Sequence, residues 1–236
     1  MKQSGSEPEF DSEKWPVIGN NCYDYAFGDN RRRRKRSEPG GSSVFSLFKT
    51  CGRGENSMTK RILSDNPRNV YKLRDSCVPC KKGSYKVMSF VAPQNTIGDI
   101  QGDFHFYKQV GSVRYQLQVG DTIKGLAKFF RVKISVIREA LRTVLKPRNM
   151  TNGLIDDSSG ISSTSSIHRS LAGVIIKFPV NLWAHKLGWG TRPLLVDASG
   201  RTICDPRKAD RKYAFNYKTL CGTYCVRAGK AKTGNS

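Results

Sequence analysis

One cysteine in the chain is placed where a thiol can become a nucleophile. In "NCYDYAFG", Cys22 follows Asn21, a residue type that caps helices, so Cys22 is expected at the first position of a short helix. Unpaired N–H groups and the macrodipole at a helix start favour negative charge, which lowers a thiol's pKa. Attack on an amide then needs a base to shuttle the proton, a group that orients the base, and backbone N–H donors near Cys22 for the oxyanion. The chain has three histidines for the first role: His105 in "GDFHFYK", His168 in a polar stretch, and His185 in "LWAHKLG". The competing reading is structural. A free cysteine is commonly a small core hydrophobe, and His185, between Trp183 and Trp189, can simply satisfy a backbone carbonyl.

Six further cysteines follow. "CVPC" (Cys77, Cys80) and "CGTYC" (Cys221, Cys225) have spacings a four-thiolate zinc site accepts. Disulfides and plain buried thiols are the alternatives, and a reducing compartment favours thiols. Cys204, in "RTICDP", is expected in the core. No cofactor is otherwise implied.

Charge bounds the partners. Lys and Arg number 41 against 19 Asp and Glu, a formal net charge of +22. Such an excess points to a polyanionic partner: nucleic acid, an anionic membrane surface or an acidic protein wall. It is concentrated in "RRRRKR" (Arg31, Arg32, Arg33, Arg34, Lys35 and Arg36), which has no interleaved aromatics. That run can bind phosphates in a salt-dependent way and fits a nuclear-import pattern, but it offers no base readout. No apolar stretch approaches the ~18–20 residues of a membrane span, and the N-terminal segment lacks a signal-peptide core.

The elements that must position these groups are legible in part. Residues 1–14 read as a polar arm, 29–66 as a long basic loop with an apolar island "VFSLF", and 229–236 as a tail. Polar arms of this kind are expected to order only against other surfaces. "NVYKL", "SYKVMSFVA" and "GDFHFYKQV" read as strands. Ile123, Leu126, Ala127 and Phe130 share one helix face capped by Asp121 or Thr122, and Ile137, Ala140, Leu141 and Val144 share another capped by Ser135. Residues 147–170 form a Ser-rich insertion. Strands return in "AGVIIKFPV" and "RPLLVDASGRTICDP", where "DASG" reads as a tight turn.

Two segments resemble known families. "YQLQ", "VGDT", "IKGLAKFF", "RVKIS", "VIREAL" and "GVIIKFPV" are similar to a LysM module, a βααβ fold in which many members bind N-acetylglucosamine polymers. The resemblance implies glycan contacts at Val119, Gly120, Asp121 and Thr122. The remainder resembles an NlpC-type papain-like hydrolase, with "NCYDYAFG" as the nucleophile helix. That resemblance implies Cys22 as nucleophile, His185 as base and Asp197 as its orienting group, with His105 the alternative base. The motif set also resembles little-characterised proteins of large DNA viruses and some bacteria.

The expected fold is therefore α+β. A papain-like antiparallel sheet with a short helix occupies 15–112 and 182–228, and a LysM-like module occupies 113–181. The leading functional expectation is a minor structural protein of a large DNA virus particle, made in the host cytoplasm with possible nuclear passage, whose partners are other capsid proteins. A cysteine peptidase or amidase acting on cell-wall glycopeptide, and a nucleic-acid packaging protein, are the alternatives.

Overall fold

The computed structural model describes residues 1–32, 34–41, 51–52, 57–92, 103–145, 167 and 169–234. Arg33, the "VFSLF" island, His168 and nearly all of the Ser-rich insertion lie outside the described residues. The fold is α+β, with a six-stranded, mostly antiparallel sheet. Its elements are β1 (Glu9–Phe10), α1 (Cys22–Phe27), α2 (Met58–Asp65), β2 (Val70–Leu73), β3 (Ser84–Ala92), β4 (Asp103–Gln116), α3 (Ile123–Phe129), α4 (Ile134–Leu145), β5 (Ile175–His185) and β6 (Thr219–Arg227), with a 3₁₀ turn at Arg169–Leu171. The strand order is β1-β4-β3-β6-β2, with β5 also paired to β4.

The chain divides into two compact units: Met1–Pro8, Ser12–Val110 and Leu182–Ser236 form the first, and Glu9–Asp11 with Gly111–Asn181 the second. In the first unit β3 lies between β4 and β6, with Val87 opposite both Lys108 and Tyr224, and it is buried along its whole length because Val87 and Val91 enter one core and Met88 and Phe90 another. A strand covered on both faces reads as a continuous apolar run rather than an alternation, which "SYKVMSFVA" nearly is. One core gathers Cys22, Tyr23, Phe27, Ile62, Val87, Phe104, Phe106 and Tyr224. A second gathers Met88, Phe90, Tyr107, Trp183, Ile203 and Tyr217. The alternation of β4 divides its side chains between them.

In the second unit the helical periodicity appears as packing. Ile123, Leu126 and Ala127 of α3 and Ile137, Ala140 and Leu141 of α4 are buried. Thr122 is the N-cap of α3, its side chain accepting from the Gly125 amide. Helix α4 begins at Ile134, so Ser135 lies in its first turn instead of capping it.

Three expectations are corrected. The stretch 29–66 is not all loop: Ser57 caps α2, which buries Met58, Arg61 and Ile62. Residues 1–8 are not a free arm. Ser4 Oγ donates to the Ser84 carbonyl at 2.6 Å, Gly83 N donates to Ser6 Oγ at 2.8 Å, and Lys86 Nζ donates to the Lys2 carbonyl at 2.8 Å. The C-terminal stretch is also held: Thr233 is fully buried, its amide donating to Asp29 at 2.8 Å and its hydroxyl bonding Asp24. Both terminal segments find polar partners on the globule itself, which composition alone does not reveal. Third, "RPLLVDASGRTICDP" forms isolated bridges, His185 with Leu194 and Val196 with Thr202, instead of full strands. The "DASG" turn is present, with Gly200 at φ +77°, a left-handed conformation glycine adopts without strain.

Candidate active site

Helix α1 starts at Cys22 because Asn21 caps it: the Asn21 side chain accepts from the Tyr23 and Asp24 amides, and the Asp24 carboxylate accepts from the Asn21 amide. This reciprocal capping box anchors a helix of only six residues. Gly28, at φ +74°, closes it in the left-handed region. The Cys22 side chain lies against β4, where its Sγ donates to the Phe104 carbonyl at 3.7 Å. Burial pushes the thiol far above its usual pKa, and the negative charges of Asp103 and Asp24 add to this. The Phe106 and Tyr23 amides oppose the shift without reversing it. The helix start therefore holds a protonated thiol at rest.

His105 follows Phe104 on β4, so the two rings leave opposite faces of the strand, but His105 is near the start of β4 and borders the same cavity as Cys22. It sits among Tyr107, Tyr217 and His185, with ring centroids 4.9–5.0 Å away. His105 Nε2 and His185 Nδ1 are 2.8 Å apart, and His185 Nε2 is 2.9 Å from the Val196 carbonyl. A carbonyl only accepts, so His185 donates from Nε2. Its Nδ1 then accepts from His105 Nε2–H, leaving a lone pair on His105 Nδ1. Both rings are held neutral. Burial takes His105 well below its usual value, with His185 adding, and takes His185 to about 4.

Cys22 and His105 line one cavity of about 270 Å³. Asp103, Tyr213, Phe215, Tyr217, Trp189 and the loop Arg36, Ser37, Glu38 complete its wall. Asp103 Oδ2 accepts from Tyr217 OH at 2.6 Å. Ser37 Oγ, Glu38 Oε2 and Trp189 Nε1 are buried polar atoms with no hydrogen-bond partner among the described residues. Such atoms are uncommon in folded proteins, and here they belong to residues around one cavity. Glu38 titrates higher than an ordinary glutamate, chiefly through burial, with Asp103 adding and Arg61 opposing.

The structure rearranges the expected site. His105, not His185, shares the cavity with Cys22, and His185 stands behind it. Asp197 does not orient His185. Its carboxylate accepts from Ser199 N and Oγ, Arg201 N and Asp210 N, so it organises its own turn. Tyr213 and Tyr217 were not visible as site residues, and the only sequence hint was aromatic content. In the second unit, Asp121 accepts from the Gln118 amide and Tyr115 OH, and Thr122 caps α3, so both already have structural roles. Gly120, at φ +91°, makes the turn, and Val119 is exposed.

The zinc grouping is not formed. Cys80 is disulfide-bonded to Cys225 and Cys51 to Cys221, leaving Cys22, Cys77 and Cys204 free. Cys221 and Cys225 both lie on β6. Four residues along a strand span roughly 13 Å, too far for one zinc ion with ~2.3 Å bonds. Cys204 is exposed rather than in the core. Of the basic run, Arg31 is tied to Asp29 at 2.7 Å, while Arg32, Arg34, Lys35 and Arg36 are exposed. Among the described residues, no helix is long and apolar enough to cross a membrane. No protein-family model, curated protein or solved structure matches the chain.

Proposed function

We propose that the protein is a cysteine-dependent hydrolase of amide bonds on a papain-like, NlpC-type scaffold, with Cys22 as nucleophile, His105 as base and His185 as the group that orients it. The observation that carries this reading is that His105, hydrogen-bonded to His185 behind it, lines the cavity that Cys22 also lines. A neutral imidazole with one nitrogen committed and the other unprotonated is the form a general base needs.

The reaction starts from the resting thiol. Substrate entry brings the scissile amide against Cys22, and the thiol proton passes to His105 Nδ1 across the cavity both residues line. Sulfur attacks the amide carbon while the Cys22 amide, which has no intrahelical partner at this position, faces the oxyanion. His105 returns the proton to the leaving amine, and water then hydrolyses the thioester. The strand–helix–helix–strand order of the second unit supports a LysM-like module and, with it, a glycopeptide substrate. Val119 and the backbone at Gly120 are the groups left to contact a glycan.

The test is alkylation of the protein by an iodoacetamide probe, read at Cys22 by peptide mapping in a Cys77→Ser, Cys204→Ser background. Labelling of folded protein near neutral pH that is lost in His105→Ala is expected. Labelling of Cys22 only in denaturant would overturn the proposal.

A second reading has one observation in its favour. The exposed Arg32, Arg34, Lys35 and Arg36, in a chain of net charge +22, suit a structural component of a large DNA virus particle that meets acidic capsid proteins or packaged nucleic acid. The packed terminal segments remove the arms this reading drew on, so it rests on charge alone. Deletion of residues 31–36 is expected to abolish salt-sensitive retention on duplex DNA if nucleic acid is that partner.

A further inference from the structure

Cys77 is exposed and free, and it lies three residues before Cys80, whose sulfur is bonded to Cys225. A turn runs through Ser76 and Cys77, with the Cys77 amide donating to Asp75 Oδ1 at 2.8 Å. Arg207 reaches this turn from a distant loop. Its Nη1 donates to Ser76 Oγ at 2.8 Å and its Nη2 pairs with Asp205 at 2.7 Å, so a fixed cation adjoins the turn that carries Cys77. The three sulfurs differ in access: Cys77 is exposed, Cys80 is 6% exposed and Cys225 is fully buried in β6.

We propose that Cys77, Cys80 and Cys225 form a thiol–disulfide exchange site in which the bridge moves from Cys80–Cys225 to Cys77–Cys80. The Cys77 thiolate attacks Cys80 Sγ. The Cys80–Cys225 bond breaks, the Cys77–Cys80 bond forms, and the electron pair leaves on Cys225 sulfur, which takes up the proton Cys77 lost. Cys77 sulfur is oxidised from thiolate to disulfide and Cys225 sulfur is reduced from disulfide to thiol, so the electrons balance with no outside oxidant or reductant. Attack falls on Cys80 because it is the more accessible partner, and rate follows the thiolate fraction and access of the attacking sulfur.

The exchange has a structural consequence. Cys225 lies opposite Tyr71 of β2 and Lys86 of β3. The Cys80–Cys225 bridge therefore ties the 74–83 loop to the middle of the sheet, and exchange unties it. The leaving thiolate would be generated at a fully buried position, which disfavours it. The bridge thus stays on Cys225 until the loop lifts, and it moves when a partner or mild destabilisation lifts that loop.

The test is incubation of the whole protein at pH 8.5 in sub-denaturing urea without added thiol, then acid quenching, alkylation and non-reducing peptide mapping. The expected product is a peptide carrying both Cys77 and Cys80 at 2 Da below its dithiol mass, with an equal amount of alkylated Cys225. Cys77→Ser, a change at an exposed position, should abolish both signals while its Cys80–Cys225 bridge persists. The rate should rise several-fold per pH unit below the thiol pKa. Cys225 alkylated equally in Cys77→Ser, or Cys77 recovered only as free thiol or bonded between chains, would overturn the proposal.

Discussion

His105 Nε2 lies 2.8 Å from His185 Nδ1, and both rings are almost completely buried. That contact assigns the rings different work. His185 is held by the Val196 carbonyl and Tyr213 OH, so it positions, while His105 keeps the free nitrogen. His105→Ala is expected to slow Cys22-dependent amide hydrolysis by about 10²–10⁴-fold. His185→Asn should slow it less and alter its pH profile, because an amide can still orient the base but cannot titrate. Comparing the pH–rate profiles of the two variants checks the division of labour.

The same histidines make the fold sensitive to acid. The unfolded His185 binds a proton below about 6.5, but the folded one does so only below about 4. Between these values the unfolded state holds more protons, so stability falls as pH drops through that window and changes little above it. The contribution is about 3 kcal/mol for His185. Urea melts between pH 7 and 4 should show a shallower decline for His185→Asn than for the native chain.

Lys108 is expected to act in the opposite pH range. Its Nζ lies 3.7 Å from the Tyr25 ring centroid and 4.8 Å from that of Trp15, and burial, with Lys14 adding, lowers its pKa to about 7. The unfolded lysine stays protonated up to about 10.5, so between 7 and 10.5 the unfolded state binds more protons and stability rises with pH. Lys108→Met should remove that rise and stabilise the protein at pH 6 by about 1–4 kcal/mol, as replacement of a buried ionic group by a hydrophobe often does. Denaturant melts at pH 6 and 9 read both effects.

The sulfur chemistry separates reductant from chelator. The two bridges close long loops, with sequence separations of 170 and 145 residues. Loss of either should cost about 2–5 kcal/mol. Thermal melts should shift down with a phosphine reductant and stay unchanged with EDTA. A large EDTA effect would restore the zinc reading of these cysteines.

Thr233 is the fourth target. Its hydroxyl bonds two carboxylates, those of Asp24 and Asp29, in a fully buried site. Thr233→Val keeps the shape and removes the donor, so a loss of roughly 1–3 kcal/mol is expected in denaturant melts. Because Asp24 is part of the box that caps α1, the probe reactivity of Cys22 should change with it.

How far the sequence spoke varies with the range of the interaction. Local chemistry was readable: Asn21 before Cys22 marks a cap, "SYKVMSFVA" marks β3, and the spacing of Ile123, Leu126 and Ala127 marks α3. Helix α2 was hidden because Ser57 and Met58 follow a stretch dominated by Arg, Gly and Ser, and eight residues give little periodicity. β6 was not legible because Cys221 and Cys225 also fit a metal-ligand spacing, although "TLCGTYCVR" runs between β3 and β2 in the sheet. The pairing of His105 with His185 was out of reach. The two are 80 residues apart in sequence, and only the placement of β4 and the end of β5 brings them together.

The position of β6 between β3 and β2 has a consequence during synthesis. Val87 meets Tyr224, so more than a hundred codons are translated after β3 emerges before its second neighbour exists. At ~5–20 residues per second, that leaves an apolar strand with one open edge for roughly ten seconds on the ribosome. The nascent chain is therefore expected to depend on holding chaperones, and refolding from dilute solution should outperform refolding from concentrated solution.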